Sequence, residues 1–355
     1  MALDRALKAI RLEPTDRIPR LEMVSHPDFI RKITGIDSGQ HPQKAYIKLI
    51  ETLDFDIDRV PPVDEPVTVT FTDDNESVID QEGNRVVRWG AGTTWRWNWG
   101  EHFQNIEQVL DYEPRTIHYP ESTETLTQQF QASIDLQRKL LGSRCLPFGD
   151  IYTTLLMWPL MTFGWELTLE AASTEPEKFK RVLDRFAEIS LKVTQAWANT
   201  DIDLFISHDD ICMTSGPIFN PKWYREAIYP WYERLWAPLK QKGIKVVFLS
   251  DGNLDLIADD IFAVGADGLF FEPLTDLVRL VKAYGTSKIL IGNIDSRILL
   301  LEGKEDIYRE VERCTLLGKN CPGYFYCVSN HITYNIPMAN VEAYFTACDQ
   351  LGSRD

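Results

Sequence analysis

The sequence predicts an α/β protein of the (β/α)8 TIM-barrel class, with a β-hairpin insertion in its N-terminal half. Three observations lead there. Short apolar runs alternate with helical patterns through the C-terminal half. Three more strand candidates precede them. The glycine fingerprints GxGxxG and GxxxxGK[ST] are absent, which places a doubly wound nucleotide-binding sheet second.

The first three strands are expected at Ile18–Met23, Asp56–Val60 and Cys145–Phe148. Helices are expected at Pro27–Thr34, Gln43–Thr52, Leu155–Leu169 and Pro176–Asn199. A long insertion, about 63–121, separates the second strand from the third. Within it, Ser77–Trp89 (SVIDQEGNRVVRW) carries two alternating runs around Glu-Gly-Asn, the pattern of a hairpin. Glu121–Leu141 then reads as helix. Five strand–helix units follow. Asp203–Ser207 leads to Pro221–Lys242, Lys245–Leu249 to Leu254–Val264, and Gly268–Phe271 to Leu274–Tyr284. Lys288–Ile291 leads to Lys304–Leu317, and Tyr324–Val328 to Met338–Leu351. Continuous apolar runs of this length suit parallel strands buried on both faces. Asn220-Pro221 reads as a capping residue before a first-turn proline. Gly243, Gly265 and Gly285 fall where helices should close. No Gly/Ser-rich or Pro-rich linker divides the chain, so residues 1–355 read as one domain.

Charge and composition bound the function. The 355 residues hold 37 Lys+Arg against 53 Asp+Glu, a net charge of −16. That disfavours nucleic acid and an anionic membrane as partners, since both call for a basic face. No run approaches the ~18 apolar residues of a membrane span. The first twenty residues contain no apolar signal core. The six cysteines include no CxxC pair, so a reduced, cytoplasmic protein without a zinc-finger site is expected.

In a barrel the chemistry sits at the C-terminal ends of the strands. Glu22 and His26 follow the first, Asp64 and Glu65 the second, Asp150 and Tyr152 the third. His208, Asp209 and Asp210 follow the fourth, Ser250, Asp251 and Asn253 the fifth, and Glu272 the sixth. Asn293 and Asp295 follow the seventh, and Asn330 and His331 the eighth. This set is rich in Asp, Glu, Asn and His and poor in Lys and Arg. It suits general acid/base work, a metal ion, or a neutral or cationic substrate. Asp210, Asp251, Glu272 and His331 are the catalytic candidates. Asp251, Glu272 and His331 are also the metal-ligand candidates. The remainder, Glu22, His26, Asp150, Tyr152, His208, Asp209, Asn293, Asp295 and Asn330, are substrate-binding candidates. Bland readings stand beside these: His208-Asp209-Asp210 also suits a turn cluster, and Asp251 an Asx turn. Trp95, Trp97 and Trp99 alternate with polar residues in Trp89–Trp99. They form either one aromatic face of a strand or a lid over the substrate, with Trp95 and Trp97 the contact candidates. Cys212 and Cys327 are either thiolate ligands or buried inert thiols.

Four ordered segments carry a resemblance. SHDDICMTSGPIFNPKWYREAIYPWYERL, FLSDGNLDLIADDIFAVGADGLFFEP, ILIGNIDSRILLLEGKEDIYREVER and NHITYNIPMANVEAYF look like the uroporphyrinogen decarboxylase superfamily. The likeness runs over Asp203–Leu351 and, more weakly, over the opening PTDRIPRLEM. It implies a (β/α)8 barrel. Uroporphyrinogen decarboxylase itself carries an Arg-rich motif of the type RQAGR, which meets the many carboxylates of its substrate. The corresponding stretch here, Leu21–His26, contains no arginine. The hairpin insertion and the SDGN and GNID segments are closer to the corrinoid-dependent methyltransferases. That branch implies O-demethylation or a related reaction on a small methylated substrate. The methyl acceptor would be a corrinoid (cobalamin) presented by a partner protein, and a homodimer is compatible with the resemblance. Zinc-using members of the branch hold the metal with a His-x-Cys pair after the fifth strand and a Cys near the eighth. Leu249-Ser250-Asp251 occupies the first position here, and Cys327 falls slightly early for the second. A decarboxylase and a non-catalytic binding subunit are the alternative readings.

Overall fold

The computed structural model describes residues 1–65, 77–79, 85–90, 93–97, 102–114, 119, 121–328 and 330–354. It is an α/β fold around a parallel sheet. Six strands lie in the order Tyr324–Phe325, Ile289–Ile291, Gly268–Phe271, Lys245–Ser250, Leu204–His208, Gly149–Ile151. Every neighbouring pair is parallel. Single parallel bridges continue the pairing from both edges: Leu146 with Ile57, Ile57 with Leu21, and Arg20 with Tyr326. Met23–Ser25 pairs in parallel with His331–Thr333. All eight expected strand positions therefore take part in parallel pairing.

The helices form where periodicity and caps place them. Pro27–Thr34 starts on a proline, and His26 Nδ1 accepts from the Phe29 amide. Pro176–Ala198 and Met338–Leu351 run almost as expected. The expected single helix over 221–242 is two, Pro221–Ala227 and Tyr229–Gln241, broken at Ile228, because Pro230 cannot donate to the carbonyl a continuous helix would offer. The helix expected from Leu254 begins at Ala258, because Leu254 and Asp255 turn through bonds to Thr275 and Asn253. Residues 77–79, 85–90 and 93–97 form three antiparallel strands. Trp95 and Trp97 lie on the last of these; the expectation that their rings cover a substrate lies outside the described residues, as do Trp99 and the turn of the hairpin.

Two apolar clusters hold the fold. The larger fills the space between sheet and helices and includes Phe186, Trp236, Phe248 and Tyr344. The smaller packs Leu21, Ile57, Leu146, Ile206, Val247, Phe270, Ile291 and Phe325 on the opposite, inner face of the strands. Ala6, Ala9 and Ile10 join this inner cluster from the N-terminal helix Ala2–Ile10, which the sequence reading did not anticipate. That helix seals one end of the inner face. Among the described residues no helix is long and apolar enough to cross a membrane. The six cysteines are free and buried.

Candidate functional site

Strand alternation builds the site. A residue two places beyond an inner-face residue returns to that face. Ile57 is followed in this way by Arg59, Phe148 by Asp150, Ile206 by His208, Leu249 by Asp251 and Phe270 by Glu272. The inner face thus changes from packed hydrocarbon to charged groups at the C-terminal ends of the strands.

One half of this polar layer is a connected acidic wall. His208 Nε2 lies 3.0 Å from Asp210 Oδ1. The same Asp210 oxygen accepts from the Asp251 amide at 2.8 Å. Glu272 Oε2 accepts from the Gly252 amide at 2.7 Å, and its carboxylate also bonds Asn330. Gly252 is required here: its φ is +86°, and a Cβ would stand 2.7 Å from the Met213 carbonyl oxygen. The Tyr152 ring meets the His208 ring edge to face at 4.7 Å. The Asp251 carboxylate accepts no hydrogen bond from any described residue.

The electrostatics separate these groups. Burial opposes the charge on His208, yet the hydrogen bond and charge of Asp210, aided by Asp251 and Asp209, raise its pKa above the ordinary value. Burial pushes Asp210 upward, but His208 and the Asp251 amide outweigh it and hold Asp210 below the usual carboxylate range. Asp251 is pushed up to about 7 by burial and by the charges of Asp210 and Glu272. Glu272 is raised by burial and by Asp210, against the bonds from Gly252 and Asn330. Burial and the acidic neighbours push the Tyr152 hydroxyl up to about 12. The pattern is one carboxylate held toward its ionised form beside an imidazole held toward its protonated form, with a second carboxyl poised near neutrality.

Other sequence candidates are engaged by the fold itself. Asp209 is fully buried and accepts the Leu155, Leu156 and Met157 amides and the Tyr232 hydroxyl. Glu22, 1% exposed, accepts from the Val328 amide and the Tyr344 hydroxyl. His26 caps its helix and bonds the Ile336 carbonyl at 2.8 Å. Asn293 is buried between the Thr275 carbonyl and Arg313. Asp295 caps the helix Ser296–Leu301 and holds Arg297.

His331 pairs with Ser25 Oγ at 2.9 Å, and burial lowers its pKa to about 4. Among the described residues no group of three or more His, Cys, Asp or Glu is arranged to hold a metal ion. Asp251, Glu272 and His331 therefore do not converge as a ligand set. Cys212 and Cys327 are buried, and neither belongs to a group of three or more potential ligands among the described residues. The described residues do not fit a zinc site.

Sequence reading missed Arg59. Its guanidinium grips Asp150 through two bonds, 2.8 and 2.9 Å, and lies 4.3 Å over the Phe148 ring. The period-two count from Ile57 was the available signal.

A family model described as uroporphyrinogen decarboxylase (URO-D) matches residues 156–351, more than half of the chain. The chain belongs to the uroporphyrinogen decarboxylase family. Two curated uroporphyrinogen decarboxylases from strains of Thermus thermophilus are each 26% identical over 167 residues, 47% of this chain and 47% of theirs. The chain thus matches about half the length of these relatives. The structure of a methyltransferase from Methanosarcina mazei superposes with a TM-score of 0.66 at 16% identity, over 98% of each chain. At that identity the likeness is one of fold. Within the family match lie His208, Asp210, Asp251, Glu272 and Asn330. Arg59, Asp150 and Tyr152 precede it.

Proposed function

We propose that this chain is a methyltransferase that removes a methyl group from a small methylated compound, such as a methyl ether, for transfer to a corrinoid carried by a partner protein. The paired strand positions are read as a closed (β/α)8 barrel forming one cytoplasmic domain over 1–355, with the insertion at about 63–121. The observation that carries the activity is the Asp251 carboxyl. It stands at the polar end of the inner face with no acceptor bond from the described residues, and its pKa is near 7. A methyl ether loses its methyl group only if the departing oxygen is protonated or otherwise stabilised. Asp251 is the group able to supply that proton, with Glu272 beside it. Asp210 is committed to His208 and stays ionised, so it holds Asp251 in its protonated form without competing for the role. Tyr152 and His208 form the side wall against which the donor rests. The corrinoid, when presented, supplies the nucleophile that accepts the methyl group. Met213 and Leu256, exposed on the segments after the fourth and fifth strands, are apolar side chains that such a macrocycle would meet at the rim.

The names of the Thermus relatives favour a second reading, decarboxylation of a porphyrinogen. Against it, the polar inner layer among the described residues offers Arg59, with Arg297 near Glu272 but bonded to Asp295, where a polycarboxylate requires several free arginines. The test is to supply purified protein with cob(I)alamin and methyl donors, and separately with uroporphyrinogen. Donor-dependent methylation of the cobalamin supports the proposal. Carbon dioxide release from uroporphyrinogen without methyl transfer sinks it and establishes the second reading.

A further inference from the structure

The geometry points to Arg59 as the anchor for a single carboxylate on the substrate, so that the methyl donor is a small monocarboxylic acid methylated at its far end. This rests on the methyltransferase reading and names the substrate class of that same site.

Arg59 and Ile57 share the inner face, so the guanidinium enters the polar layer rather than the space between sheet and helices. Asp58, between them, alternates to the other face. Two features fix the guanidinium in place: the paired bonds to Asp150 and the Phe148 ring beneath it. Those bonds occupy one N–H on each terminal nitrogen. Guanidinium carries five N–H groups, so the Nε–H and two terminal N–H groups remain, with no acceptor among the described residues. The Nε–H and its neighbouring terminal N–H form a second fork that matches the two oxygens of a carboxylate. The side chain is 38% exposed, which leaves it within reach of a ligand.

Position supplies the other half. From the second strand position to the fifth the pairing runs Ile57, Leu146, then Gly149–Ile151, Leu204–His208 and Lys245–Ser250. Arg59 and Asp251 thus stand three strand steps apart, roughly 15 Å between backbones in an eight-stranded barrel. After both side chains reach inward, one small molecule spans the gap. Its anion rests on Arg59, and its methylated oxygen meets Asp251. A neutral or cationic donor leaves the Arg59 fork unused. A polycarboxylate finds one fork and a wall of Asp and Glu.

The experiment is calorimetric binding of methoxyacetate and 4-methoxybenzoate, each against its neutral carboxamide, to the full-length protein. The wild type should bind the acids at least ten-fold tighter than the amides. Arg59→Ala should abolish that preference. Arg59→Lys, which keeps a cation beside Asp150 while removing the fork, should retain the fold by circular dichroism and lose most of the preference. Equal binding of acids and amides, no binding of the acids, or an unchanged preference in both variants overturns the inference. Binding requires no corrinoid. Arg59-dependent binding without methyl transfer would therefore overturn the activity while leaving the anchor in place.

Discussion

Replacing Asp251 by Asn tests the acid at the centre of the proposed chemistry. The carboxyl has an ordinary value of 3.8 and is pushed up to about 7 by burial and by Asp210 and Glu272. That difference corresponds to roughly 4 kcal/mol of preference for the protonated form in the fold, an upper limit because the side chain is only partly buried. Two consequences oppose each other. For activity, Asn cannot donate a proton, and the rate should fall about 10²–10⁴-fold. The wild-type rate should decline as pH rises through about 7, where Asp251 loses its proton, and the variant should lack that limb. For stability the folded pKa lies above the unfolded one. The stabilising proton is therefore fully bound below about 4 and lost as pH rises through about 7. Above that pH the wild type carries an unfavourable buried charge that Asn does not. The variant should melt a few degrees higher than the wild type at pH 8 and alike at pH 4. The assays are initial methyl-transfer rates from pH 5.5 to 8.5 and thermal melts at both pH values. A variant that keeps a third of the activity with the same basic limb refutes the assignment. One that melts lower at pH 8 refutes the electrostatic reasoning.

Three further substitutions probe the supports. Gly252→Ala forces a side chain into a backbone at φ +86°, with its Cβ 2.7 Å from the Met213 carbonyl oxygen; a loss of about 2–4 kcal/mol in urea unfolding is expected, together with activity. Tyr232→Phe removes the 2.6 Å bond to buried Asp209 and should cost about 1.5–3 kcal/mol, seen as a lower urea midpoint with an unchanged slope. Glu22 is raised to about 8, mainly by burial. Wild-type stability should therefore fall as pH climbs from about 4.5 to about 8 and level off above that, and melts of Glu22→Gln from pH 5 to 9 should show that dependence removed. An identical decline in the variant would show that Glu22 is not its source.

The sequence carried the rhythm of the fold well and its individual side chains less well. The helix Pro27–Thr34 was legible because proline, an N-cap and a closing glycine coincide. The N-terminal helix was not, because charged residues separate Ala2, Ala6 and Ala9, and its apolar stripe has meaning only against the inner face of the sheet. Asp210, Asp251 and Glu272 could be picked out by strand-end position, yet so could Asp209, one residue away. What separates them is tertiary: Asp209 turns toward three amides opening a helix, and no local pattern reports that. Arg59 escaped for the reverse reason. Its chemistry is plain in the sequence, but its partner Asp150 lies 91 residues later.

The N-terminal helix that seals one end of the inner face bears on the order of events. With Ala6, Ala9 and Ile10 packed against Leu21, Ile57 and Phe325, the floor is closed. In the proposed closed barrel, traffic to the acids would run through the mouth. The proposed small donor would then enter before the proposed corrinoid partner covers that mouth, and its demethylated remnant would leave only after the partner departs. The proposed methyl transfer is therefore expected to be ordered, with the donor the first reactant on and its remnant the last product off. Product-inhibition patterns report that order directly: the remnant should compete with the donor, and the partner should not.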